Sequence, residues 1–186
     1  KGISLLTEVA GQTSLLEEIL IAYPQVQLLI AGPVSRGDPV GRKLQLLISD
    51  LELKYPGRIR GLIDFIKHRD ALSITLGSDL FLMPSRFQPG GITPLEALAA
   101  GTGVIAHAVG GLLATLRDFN QTTGKGDSFL FTSYSTNALR SGGDRALQAC
   151  DNRDTRSKMV LNASASEHDW SFRLPKYLAL FQYITW

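Results

Sequence analysis

The stretch "PSRFQPGGITPLEALAAGTG", Pro84 to Gly103, carries the residues whose types and order suit chemistry. Pro84 closes an apolar run, Pro89-Gly90-Gly91 turns the chain, and a helical pattern starts at Thr93-Pro94. A helix start leaves N–H groups without acceptors and carries partial positive charge, so it favours an anion such as phosphate. Without a Cβ, Gly90 and Gly91 would let a ligand come close to the main chain. The same residues also suit a tight strand-to-helix turn that holds nothing. A second turn, Val109-Gly110-Gly111-Leu112, follows the next apolar run and opens the next helix. Two neighbouring strand-to-helix turns that both carry Gly-Gly are harder to explain as packing, and they favour the ligand.

Other patterns compete with this one. Thr93-Pro94-Leu95-Glu96 spells a capping box, with threonine at N-cap, proline at N1 and glutamate at N3. "GTGVIA", Gly101 to Ala106, has the G-x-G-x-x-G/A spacing of a dinucleotide site. That fingerprint must leave a strand and open a helix, whereas here a helix ends and a strand begins. Gly101 is therefore expected to be a helix C-cap. There is no Walker loop. His68, His107 and His168 lack metal-ligand spacing, and each is expected to be structural or exposed.

The elements that must position this stretch follow a repeating alternation. Leu15, Leu16, Ile19 and Leu20 recur at helical spacing before Tyr23-Pro24, and "VQLLIA" (Val26 to Ala31) reads as a parallel strand buried on both faces. Leu44, Leu47, Ile48 and Leu51 mark a second helix that ends at Tyr55-Pro56-Gly57. Strands are predicted over 58–63, 79–84, 103–107 and 128–131. Helices are predicted over 67–76 and 93–100, from Gly110, and over most of the chain beyond Ser135. Strand and helix alternating in this way imply βαβ units: an α/β, Rossmann-like fold with one parallel sheet and helices on both faces.

Composition sets the outer limits. The 186 residues fit one domain, 44% are apolar and 19% charged, and the formal net charge is +2. Scattered basic residues argue against nucleic acid as a partner. No apolar run is long enough to span a bilayer. A single cysteine, Cys150, permits no internal disulfide and points to a reducing compartment. "KGISLL" opens like the middle of a motif, so the chain is expected to be a fragment or an excised domain.

Taken together, these residues resemble the C-terminal, nucleotide-sugar-binding half of the bacterial glycogen synthase and starch synthase family, retaining glycosyltransferases of the two-domain GT-B architecture. The resemblance rests on Lys1-Gly2, "YPGRI" at Tyr55 to Ile59 and the block Gly77 to Leu112. "FLF" at Phe129 and "DWS" at Asp169, with Tyr177, extend it. It implies one donor-binding domain over 1–186, an N-terminal acceptor domain outside this chain, and transfer of glucose from ADP-glucose or another nucleotide sugar to an α-glucan. It implies a cytoplasmic protein, or one of the plastid stroma if the source is a plant.

Carried over by position, the resemblance assigns Lys1 to the donor's diphosphate. The family's companion arginine would lie upstream of it. The turn amides of Gly90 and Gly91 fall to sugar hydroxyls, and those of Ile92 and Thr93 to phosphate. Neither a metal nor another cofactor is implied. Phe65 would line the base pocket, against the competing reading of core packing. Glu96 would hold the ribose or serve the capping box. Two positions depart from the family. Gln88 stands where many members have a glutamate that contacts the donor sugar, and Ala114 stands where an aspartate is usual. Gln88 keeps an acceptor for a sugar hydroxyl but lacks the charge that would stabilise a cationic transition state. That departure keeps a second reading open, a non-catalytic nucleotide-sugar-binding or scaffold module descended from such enzymes.

Overall fold

The computed structural model describes residues 2–10, 13–166 and 170–184. The chain begins with α1 (Ser4–Thr7), a small antiparallel pair β1 (Val9–Ala10) and β2 (Thr13–Ser14), and α2 (Leu15–Ala22). Next come β3 (Leu28–Ala31), α3 (Pro39–Lys54), β4 (Ile59–Leu62) and α4 (His68–Leu76). The second half runs β5 (Leu80–Met83), α5 (Ile92–Ala99), β6 (Gly103–His107), α6 (Gly110–Thr115) and β7 (Ser128–Phe131). Three helices follow, α7 (Thr136–Asp151), α8 (Arg153–Ser164) and α9 (Trp170–Ile184).

Local chemistry explains most of these boundaries. Asp38 caps α3 by accepting from the N–H groups of Val40 (3.0 Å) and Gly41 (3.1 Å), with Pro39 in the first turn. Ser14, Ser135 and Asn152 cap α2, α7 and α8 in the same way. Arg58, from the "YPGRI" stretch, spreads its guanidinium over the carbonyls of Leu20 (3.2 Å), Tyr23 (2.7 Å) and Val26 (2.6 Å). That cation satisfies the free carbonyl end of α2, where the helix dipole is negative.

The parallel strands form two ladders rather than one. β3 pairs with β4, and β5, β6 and β7 pair in that order. This corrects the expectation of a single sheet, because β3 and β5 share no ladder hydrogen bonds. In the usual doubly wound order 3-2-1-4-5-6, β4 and β3 correspond to the first two positions and β5, β6 and β7 to the last three. No described strand takes the third position.

Helices do cover both faces of the three-stranded ladder. β6 is its middle strand and is buried at every residue. Ile105 points to a cluster with Phe129, Phe131 and the α7 residues Leu139, Ala146 and Ala149. Val104 and Ala106 point the other way, to Ala97 and Leu98 of α5, Leu112 and Leu116 at α6, and Ala163 of α8. The period of two along one strand therefore feeds two cores.

β3 behaves differently. It is expected to be buried on both faces, yet it alternates half-buried and exposed residues, and Leu29 is 44% exposed. Leu28 and Ile30 pack on the first cluster, so among the described residues only one face has a covering layer. Among the described residues, no helix is long and apolar enough to cross a membrane.

Cys150 sits half-buried on α7, and burial pushes its thiol up to about 11 from 9.0. Burial disfavours the thiolate, which is the reactive form. At pH 8, alkylation of Cys150 is expected to run about a hundredfold slower in the folded chain than in urea, as mass spectrometry of timed iodoacetamide reactions would show. Equal rates would mean that the thiol is not sequestered.

Candidate functional site

The site is built at the carboxyl end of β5. Pro84 and Ser85 follow the strand and are buried, Ser85 completely. His107, at the end of β6, places Nδ1 3.0 Å from the Ser85 carbonyl and Nε2 3.3 Å from that of Thr132. This buried histidine ties three strand ends together, the structural role expected of it. The Ser85 hydroxyl is buried and has no hydrogen-bond partner among the described residues. Gly2 packs against the same strand end. It has φ 79°, and a Cβ there would lie 1.6 Å from the Pro84 carbonyl oxygen. Lys1 lies outside the described residues, as do His168 and Asp169.

From Arg86 the chain turns through Gly91 into α5. The helix starts one residue before the predicted 93–100 range and its cap lies two residues before the threonine of the capping-box pattern, with Gly91 as N-cap and Ile92 as first helical residue. Pro94 then falls within the first turn, where its missing N–H costs nothing. Gly90, Ile92 and Thr93 are exposed, and Gly91 is half-buried. The N–H groups of these four residues donate to no acceptor among the described residues. They are consecutive donors at a largely exposed helix start, and donors so placed can hold an anion.

The second Gly-Gly has a different purpose. Gly111 donates its N–H to the Gln88 carbonyl at 2.9 Å. A Cβ on Gly110 would come within 2.4 Å of that same oxygen, and Gly110 has φ 51°. A Cβ on Gly111 would come within 2.7 Å of the Pro89 carbonyl oxygen and 2.9 Å of the Gly90 Cα. Gly110 and Gly111 therefore let the start of α6 press against the back of the first turn. This corrects the expectation that the second pair marks a ligand rather than packing. Gly90 is the opposite case, because a Cβ built there meets nothing of the described residues within 4 Å.

Gln88 lies inside this packing and is only 6% exposed. Its Nε2 donates to the Gly90 carbonyl across the turn. The capping box does not form: neither Thr93 nor Glu96 makes a capping bond, and the N-cap position belongs to Gly91. The Glu96 carboxylate instead faces His68 at the start of α4, 3.9 Å from its Nε2. Phe65, in the loop before α4, is 78% exposed. That overturns core packing as its role and leaves its ring open to solvent.

The structure thus gathers Gln88, Gly90, Gly91, Ile92 and Thr93 on one turn, with Glu96 one helical turn further on. Phe65 and His68 stand on the neighbouring loop and helix start. His68 is exposed, as expected, but nothing in its own surroundings announces the carboxylate it faces, which comes from α5. Gly101 does cap α5: it has φ 77°, it donates to Leu98 (2.8 Å), and Thr102 donates to Ala97 (2.9 Å). That is the expected glycine C-cap and rules out a dinucleotide turn there.

The two glycine pairs should separate experimentally. Gly111→Ala is expected to lower stability by about 1–3 kcal/mol in urea melts, since backbone must move to admit the methyl. Gly90→Ala should leave stability within about 0.5 kcal/mol. Equal losses would show that the first turn is as tightly packed as the second.

The chain resembles known proteins in sequence and in fold. The family described as Glycosyl transferases group 1 matches residues 1–165. The chain is 34% identical over 187 aligned residues to a glycogen synthase of Hydrogenovibrio crunogenus, covering 98% of this chain and 35% of that protein. Among solved structures, the catalytic domain of starch synthase IV from Arabidopsis thaliana, bound to ADP and acarbose, superposes with TM-score 0.75. The identity is 21%, over 90% of this chain and 34% of that one. HepE from Anabaena in complex with UDP-glucose superposes with TM-score 0.63 at 21% identity, covering 81% of this chain and 38% of that one. These structural likenesses are to the fold, and the chain spans about a third of the length of these proteins. With its parallel ladders, helices on both faces and glycine turn at the carboxyl end of β5, this chain belongs to the group 1 glycosyl transferases.

Proposed function

We propose that residues 1–186 form the nucleotide-sugar-binding domain of a retaining glucosyltransferase of the glycogen and starch synthase type. The whole protein would move glucose from ADP-glucose, or another nucleoside-diphosphate glucose, to an α-glucan. The acceptor would be held by an N-terminal domain outside this chain. One observation carries the reading: at a largely exposed strand-to-helix turn, the N–H groups of Gly90 to Thr93 have no acceptor among the described residues. Such a row suits a diphosphate without a metal, with Lys1 adding a positive charge to the leaving group.

The other residues then take roles by chemistry. The Glu96 carboxylate, free of any capping duty, would accept from the ribose hydroxyls. Phe65 offers an exposed ring on which a base can stack. ADP is favoured because the starch synthase structure holds ADP. The UDP-glucose complex of HepE makes UDP the competing base. The second reading, a nucleotide-sugar-binding module without transfer activity, is favoured by Gln88, which puts a neutral amide where a carboxylate would stabilise the cationic transition state.

Calorimetry of the chain against ADP, ADP-glucose, UDP-glucose and GDP-glucose is the direct test. ADP and ADP-glucose should bind, and failure of all four ligands rejects the reading. Glu96→Ala should weaken ADP by about tenfold or more while leaving 2′,3′-dideoxy-ADP unchanged, since only the ribose diol is lost to it. Glucose transfer to glycogen by the whole protein would reject the binding-only reading.

A further inference from the structure

Gln88 holds the glycine turn from inside. A carbonyl oxygen accepts only from a donor, so the Gln88 amide nitrogen is the atom that faces the Gly90 carbonyl. In a trans peptide the C=O of one residue and the N–H of the next point in opposite directions. A bond that draws the Gly90 carbonyl into the turn therefore turns the Gly91 N–H out of it. Gln88 is itself held from behind, because Gly111 donates to its carbonyl and Gly110 packs so near that a Cβ there would lie 2.4 Å from that oxygen. The site of Gly91 is equally close, since a Cβ there would lie 3.0 Å from the Gln88 Nε2.

We infer that Gln88 is a positioning residue: its side-chain amide clamps the Gly90 carbonyl and so presents the Gly91 N–H to the diphosphate of the donor, rather than to the sugar hydroxyls that the resemblance assigns to it. This rests on the diphosphate reading of the turn and adds a reason for the glutamine. An ionised glutamate has no hydrogen to donate and would set a carboxylate against the Gly90 carbonyl. At this position the amide is therefore a working part of the turn, and a glutamate would loosen it.

Two variants test the clamp, Gln88→Glu and the similarly sized Gln88→Met, each in the full chain. The first readout needs no ligand. Backbone 15N order parameters at Gly90 and Gly91 should fall from about 0.85 to about 0.6 in both variants, with those of β6 unchanged. The second is affinity for ADP and for ADP-glucose, each of which should weaken by the same factor, about tenfold. A global fault would lower the thermal midpoint and the order parameters of β6 together. Unchanged order parameters at Gly90 and Gly91 overturn the clamp. So does a loss confined to ADP-glucose, which would make Gln88 a sugar ligand, and so does tighter ADP binding by Gln88→Glu. If the unaltered chain binds neither ligand, the diphosphate reading fails, and the order parameters alone decide the clamp.

Discussion

Main-chain donors beside a packed core are nearly always spent on an internal acceptor, because a buried and unpaired N–H is costly. The row from Gly90 to Thr93 escapes that rule by standing at a helix start, where the helix has no carbonyl to offer them. Exposure alone would leave such a turn loose. What makes it firm is the contact behind it, where the start of α6 presses on the backbone of Gln88 and Pro89 through two glycines. The bond from Gly111 to Gln88 spends one helix's free donor to steady the other's.

That arrangement explains why the two Gly-Gly pairs look alike in sequence yet differ in meaning. Gly110 and Gly111 are glycines because backbone occupies the space a side chain would need. Gly90 is a glycine with empty space beside it, so the fold does not require its lack of a side chain. A ligand that needs the main chain uncovered does require it. The contrast is visible only once the turns are brought together, since neither turn's own residues report which backbone lies against it.

Much else was legible locally. The bounds of β6 and β7, the glycine cap of α5 and the stop of α3 at Tyr55 all follow from periodicity and from turn chemistry within a few residues. The errors share one cause. An apolar run such as "QLLIA" has the composition of a doubly covered strand, but whether a second layer lies over Leu29 is a matter of what packs there. Thr93 and Glu96 have the spacing of a capping box, yet the turn pulls the helix start back to Ile92 and leaves that spacing unused. Phe65 has the hydrophobicity of a core residue and none of the cover. Glu96 and His68 meet only because α4 and α5 lie side by side.

The distribution of charge around the turn bears on catalysis as distinct from binding. Backbone donors hold a diphosphate about as well before transfer as during it, so they act mainly on affinity. Acceleration requires something that grips harder as the glycosidic bond breaks. On the leaving side that is a cation near the diphosphate; on the sugar side it is a negative group near the anomeric carbon. Gln88 supplies no such charge, and its amide nitrogen donates to the Gly90 carbonyl. The first carboxylate beyond it on this segment is Glu96, one turn into α5 and facing His68. If the ribose engages that carboxylate, this segment keeps no carboxylate for a cationic sugar, and the donor's own diphosphate, held close by the turn, would be one negative charge available to stabilise it. A site organised in this way depends on the rigidity of its backbone more than on any one side chain, which is why the glycines behind the turn matter as much as the row of donors in front.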